Sequence, residues 1–188
     1  MNLKTPLRRL LVLLLCLSMM TGLVLPAFAA PAEGEPAEPV VLTVYEQTEG
    51  GEAKVVKGYK PSELEALRTE GTAGTAGYQY WKNGEETILA ATEYVTIDSL
   101  LTDAGLTFSE NDTLQAAAAD GFSSRLTYAE SQSNKYFFTN GSKTEVPAAL
   151  ALSWSTGKGA LEEVAAAAKN TGSIRFAYGV SQEQFDAK

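Results

Sequence analysis

The sequence predicts an α+β fold of mixed, largely antiparallel sheets with short helices. Three observations predict it. Two tight-turn signals, Lys82-Asn83-Gly84-Glu85 and Asp120-Gly121, each lie between alternating apolar runs. Helix signals at 62–68, 96–105 and 159–169 fall between strand-like runs. Strands and helices interleave without the βαβ rhythm of a doubly wound sheet.

In chain order, residues 1–29 read as a secretory leader outside the fold. Lys4, Arg8 and Arg9 give a positive front, Leu10 to Leu17 an apolar run, and Ala27-Phe28-Ala29 the small residues of a cleavage site after Ala29. Thr21, Gly22 and Pro26 interrupt the apolar stretch short of the ~20 residues that span a bilayer. No small residue precedes Cys16 as lipidation would need, so the chain is expected to be secreted or extracytoplasmic, with no stable membrane anchor once the leader is removed. Residues 30–39, rich in proline and glutamate, read as a disordered linker. Residues 40–188 read as a single domain.

Within that domain, Val40 to Tyr45 and Ala53 to Gly58 read as a hairpin around Glu49-Gly-Gly-Glu52. Ser62 and Glu65 fit a capping box for a short helix, with Leu64, Ala66 and Leu67 facing inward. The glycines at 71, 74 and 77 read as a connector, since no Lys-Ser/Thr ending makes them a phosphate loop. Tyr78 to Trp81 and Thr87 to Val95 flank the Asn-Gly turn. Over 96–105, Thr96 serves as cap, Asp98 complements the dipole, Ile97, Leu100, Leu101 and Ala104 form a buried stripe, and Gly105 supplies the stop. Thr113 to Ala119 and Phe122 to Tyr128 form a second hairpin. Val146 to Trp154 reads as a buried strand, Gly159 to Lys169 as an alanine-rich helix, and Ser173 to Val180 as a closing strand.

Composition excludes several chemistries. The 188 residues include no histidine and one cysteine, with 15 basic and 23 acidic side chains, a net charge of −8. Without imidazole there is no Ser-His-Asp or Cys-His relay and no His-ligated zinc, haem or copper. The leader holds the only cysteine and three of the cations, so its removal leaves a thiol-free chain of charge −11. Such acidity speaks against nucleic acid and anionic membranes as partners. It suits solubility in an extracellular medium.

The order of pieces resembles a known family. Tyr94-Val-Thr-Ile-Asp-Ser-Leu-Leu-Thr-Asp-Ala-Gly-Leu106, then Ala119-Asp-Gly-Phe-Ser-Ser-Arg-Leu-Thr-Tyr128, then Val146-Pro-Ala-Ala-Leu-Ala-Leu152, then Ile174-Arg-Phe-Ala-Tyr-Gly179 is similar to the molybdopterin-binding domain of sulfite-oxidase-type oxidoreductases. The resemblance covers about 40–180 and implies that fold. It also implies a site, in which a cysteine thiolate ahead of the Leu-Leu helix ligates molybdenum and histidine and several arginines hold the pterin. The equivalent stretch here, Tyr78 to Gly84, contains no sulfur, and the chain beyond the leader has only Arg68, Arg125 and Arg175. Arg175 matches the family's late arginine. The resemblance therefore implies ancestry without catalysis, and molybdopterin enters as a cofactor by resemblance alone. The family's terminal strand beyond the late glycine is not evident in Ser181 to Lys188, so a partner chain is one candidate to complete the sheet.

Other constellations fall short. Glu110-Asn-Asp112, Asp98 and Asp103 lack a calcium-loop pattern. No acid sits in an apolar setting suited to glycoside hydrolysis. Ser155-Thr-Gly-Lys-Gly159 fails phosphate-loop spacing, although Lys158 and backbone N–H groups there could meet an anion. Tyr78, Tyr80 and Trp81, with Trp154 and Tyr136, could line a sugar or peptide surface or serve as core. The groove candidates are Tyr78, Tyr80, Trp81, Lys158 and Arg175, with no catalytic or metal residue. Two functions remain: a non-catalytic exported module binding an unidentified small ligand or protein, and an oxidoreductase or accessory subunit holding molybdopterin without a protein thiolate.

Overall fold

The computed structural model describes residues 9–15, 37–71, 74–119, 121, 123–132, 135–139 and 141–188. The cleavage site at 27–29, Cys16, residues 30–36 of the linker, Asp120 and Phe122 lie outside the described residues. The α+β class with mostly antiparallel sheets and short helices is what the chain adopts.

Two sheets carry the fold. The first has the order β3-β2-β1-β6-β7, formed by Lys54–Tyr59, Leu42–Thr48, Arg9–Leu15, Thr113–Ala118 and Ser123–Thr127. The second has the order β11-β10-β5-β4, formed by Arg175–Ala177, Ala149–Gly157, Glu85–Thr96 and Ala76–Lys82. A small hairpin, β8 (Tyr136–Thr139) with β9 (Ser142–Glu145), stands beside β4. The helices are α1 (Pro61–Gly71), α2 (Ile97–Asp103), α3 (Tyr128–Gln132), α4 (Leu161–Ala166) and α5 (Gln182–Asp186).

One core lies beneath the first sheet. Leu42 and Val44 of β2, Leu114 of β6, and Ile97, Leu100 and Leu101 of α2 meet there, all essentially buried. Burying each such side chain contributes about 1.5–3 kcal/mol. A second core lies around Tyr78, Leu89, Ala90, Ala91, Phe137, Ala149 and Val164.

Helix α2 follows its sequence signals. The Thr96 hydroxyl accepts from the Ser99 amide at 3.2 Å, and Gly105 takes a positive φ of 70° just past the end. The Asn83–Gly84 turn has both residues at positive φ, 55° and 80°, which is why Asn-Gly joins β4 to β5.

Several boundaries differ from the sequence reading, each for a local reason. Arg9–Leu15, expected to lie outside the fold, is strand β1. It pairs antiparallel with β2 and parallel with β6. Helix α1 starts at Pro61, and Glu63, not Glu65, accepts the turn's N–H, from Lys60 at 2.8 Å. Ser62 donates instead to Glu38 and Glu65 binds Arg68. Ala66 is exposed, because the inward stripe runs through Leu64 and Leu67. Tyr128 opens α3 and does not extend β7.

The hairpin β8–β9 and helix α5 were not anticipated. Strand β10 begins three residues late and carries Ser155 to Gly157 as strand, with irregularities at Ser153. Helix α4 stops at Ala166, because Asn170 exchanges two backbone hydrogen bonds with Trp154, 3.1 and 2.6 Å, drawing the chain back to the sheet. The closing strand shrinks to the three residues that pair with Ala149 to Ala151.

Candidate functional site

A groove between the two sheets has a volume of about 910 Å³. Its floor is one face of the second sheet. Tyr78 pairs with Leu89, and Ala91 with Trp154, so strand alternation puts Tyr78, Tyr80, Leu89 and Trp154 on that face. Ala116 to Ala118 of β6 form part of the opposite wall, where small side chains leave room.

Arg175, next to Trp154 on neighbouring strands, crosses this floor. Its guanidinium carbon lies 5.0 Å from the centroids of both the Tyr80 and Trp154 rings. The two ring faces hold it by cation–π attraction. Trp154 is itself fixed, its indole N–H donating to the Ser173 carbonyl at 2.9 Å. The Tyr178 hydroxyl, 3.3 Å from that of Ser124, bridges the two walls.

The far end of the groove wraps round edge strand β4 to Trp81. There Lys188 Nζ stands 5.7 Å from a Trp81 ring centroid. Phe185 of α5 stacks on Phe138 at 4.0 Å and meets Trp81 edge-on at 6.2 Å, fixing the helix as a rim. The described lining therefore contains two cationic side chains, Arg175 and Lys188, and no Asp or Glu side chain.

The five sequence candidates separate. Tyr80, Trp81 and Arg175 line the groove with side chains half-buried. Tyr78 reaches it only as floor: the ring is 2 % exposed, its hydroxyl donates to the Pro147 carbonyl at 3.0 Å, and burial pushes its ionisation well above the usual phenol range. Lys158 stands apart, its ammonium donating to Glu85 at 2.7 Å on the open surface.

Sequence reasoning missed Trp154 as Arg175's second clamp, and also Lys188, Ser124 and Tyr178. It missed Gln79 as well, which is buried and acts as a surrogate peptide group. Its amide donates to the Phe138 carbonyl at 2.8 Å and accepts from the Phe138 N–H at 2.8 Å, with a further bond to Glu86. This holds the β8–β9 hairpin against β4. A lone glutamine between two tyrosines carries no sequence signal for that.

For a molybdenum cofactor the donor set is the test. The described groove presents guanidinium, ammonium, hydroxyl and amide groups but no thiolate or imidazole, so it offers no soft ligand for the metal. Among the described residues no three of His, Cys, Asp and Glu converge as metal ligands. No helix among them is long and apolar enough to cross a membrane. Family models, curated proteins and solved structures all fail to match this chain, so the resemblance to molybdopterin-binding domains rests on the sequence pieces alone.

Proposed function

We propose that the chain is a non-catalytic binding module, a divergent exported relative of the molybdopterin-binding domain, whose groove takes a flat, largely apolar small molecule bearing an anionic group. One observation carries the reading. In a protein of net charge −8, the described groove walls hold two cationic side chains against aromatic rings and no Asp or Glu side chain. The aromatic floor supplies stacking area. Arg175, oriented by Tyr80 and Trp154, supplies a forked donor for a carboxylate, sulfonate or phosphate.

No reaction is assigned, since the groove holds neither a nucleophile paired with a base nor a ligand set for a redox metal.

The test compares two dyes of like shape on the full chain: the anionic 8-anilinonaphthalene-1-sulfonate and the neutral N-phenyl-1-naphthylamine. The wild type is expected to favour the anion, and Arg175→Gln to lose about tenfold in affinity for it while keeping the neutral dye, the scale of one charge-assisted contact. Equal binding of the anion by wild type and variant would sink the proposal.

A further inference from the structure

Strand β1 sits between β2 and β6 and joins them in one sheet. Its backbone pairs on both sides, Leu13 standing opposite Val44 of β2 and Ala116 of β6, and Leu11 opposite Leu114. The residues that form it, Arg9–Leu15, belong to the stretch read from sequence as a removable leader. Loss of that segment leaves two strands facing each other across a gap of two strand spacings, about 9–10 Å. Each then presents a row of unpaired backbone N–H and C=O groups.

Closing the gap is opposed by α2, which bonds to residues on both of its sides. On the β3 side the Tyr59 hydroxyl donates to the Leu100 carbonyl at 3.1 Å and Lys57 pairs with Asp103 at 2.6 Å. Beyond β7, Tyr128 and Gln132 donate to Asp98 at 3.2 and 2.7 Å. One helix therefore contacts both halves, and drawing β2 onto β6 would strain one set of contacts or the other. Leu42, Val44, Leu114 and Ala116, buried beside the gap, would lose cover while it stood empty.

We propose that leader removal turns this domain into a strand acceptor: the slot between β2 and β6 takes an extended, uncharged, apolar segment of a second, different polypeptide, running antiparallel to β2 and parallel to β6. The proposal rests on the leader reading of residues 1–29, and the slot shares β6 with the groove wall, since Ala116 to Ala118 pair with β1. The occupant's chemistry follows from its neighbours. Positions opposite Val44, Leu114 and Ala116 lie on the core face and must be apolar, and an unpaired charge there would be costly. Another copy of this chain is a poor donor. Residues 30–39 are proline- and acid-rich, 181–188 are polar with a helix at 182–186, and the apolar runs at 40–44 and 146–152 already serve β2 and β10.

The experiment has two arms. The N-terminus of the exported protein is read by mass spectrometry: a start at Ala30 is expected, and a retained Met1 overturns the proposal while leaving the groove reading intact. In the second arm, a specific protease site is placed within residues 31–36 of the full chain. The chain is cut, the leader fragment is stripped in mild denaturant, and amide exchange of β2 and β6 is measured with and without a probe peptide of residues 10–14 flanked by lysine pairs. Without peptide these amides are expected to exchange fast, and with it to slow by at least about tenfold. A peptide carrying Val12→Pro, which lacks one N–H donor, is expected to fail. Protection of β2 and β6 before peptide is added, equal rescue by the proline peptide, no rescue by either, or protection that arises by dimerisation overturns the proposal.

Discussion

Gln79 shows how much one side chain can decide. Its amide replaces a strand neighbour for Phe138, satisfying an N–H and a C=O that are buried beside it. Beside it, Gly77 lets the Phe137 ring lie on the backbone, since a Cβ there would come within 2.9 Å of the ring. Gln79→Ala is expected to leave two buried backbone groups unpaired and to lower stability by about 1–3 kcal/mol. The measurement is the urea midpoint, with the slope unchanged. A loss below a few tenths would show that water replaces the amide. The signal in sequence was limited to a polar residue between two aromatics, which fits an exposed strand position equally well.

At the scale of elements, α2 ties together distant parts of the chain, bonding to Tyr59 and Lys57 on one side and to Tyr128 and Gln132 on the other. It is only seven residues long, too short to hold itself together in water, and stands because three of its residues are buried in the first core. Its sequence signals were complete: cap, acidic first turn, buried stripe and terminal glycine all lie where they were read. Thr96→Ala should cost about 1 kcal/mol through the lost cap, and Leu100→Ala about 2–5 kcal/mol through the cavity it leaves. Thermal unfolding of both variants checks the ranking, and a Thr96 effect as large as that of Leu100 would mean that the cap and not the core supports the helix. The β8–β9 hairpin and α5 were less legible. Their strands and helix are four to five residues long, and what joins them, the stacking of Phe185 on Phe138 and the Gln79 bonds to Phe138, links residues far apart in the chain.

For the molecule as a whole, two buried phenols and two hydrogen-bonded carboxylates contribute to the response to pH. The Tyr59 hydroxyl is pushed far up, by burial foremost and then by the Asp103 carboxylate, and Tyr78 likewise by burial. A raised acid keeps its proton in the folded chain after the unfolded chain has lost it. Its contribution is therefore complete below the unfolded value of about 10 and is lost as pH climbs beyond it. On the acid side the Lys57 ammonium, above all, holds Asp103 below the usual carboxylate range, and the Thr127 amide does so for Glu130. Stability from these two is present above their unfolded values near 4, about 3.9 and 4.3, and is lost as pH falls through the folded ones. Denaturant midpoints measured across pH should form a plateau that falls on both sides. Tyr59→Phe should flatten the alkaline fall, and an unchanged alkaline limb in that variant would contradict the assignment.

The sequence by itself determined the α+β class, the Asn-Gly hairpin, helix α2 with its cap and stop, the acidity and the absence of imidazole. Each of these is written in neighbouring residues or in composition. Tertiary structure alone decided that Arg175 lies between Tyr80 and Trp154, that Lys158 belongs to Glu85 and not to the groove, and that Arg9–Leu15 fills the gap between β2 and β6. Those outcomes depend on which strands become neighbours. Strand order is set by the joint burial of residues far apart in the chain, a quantity that no local spacing contains.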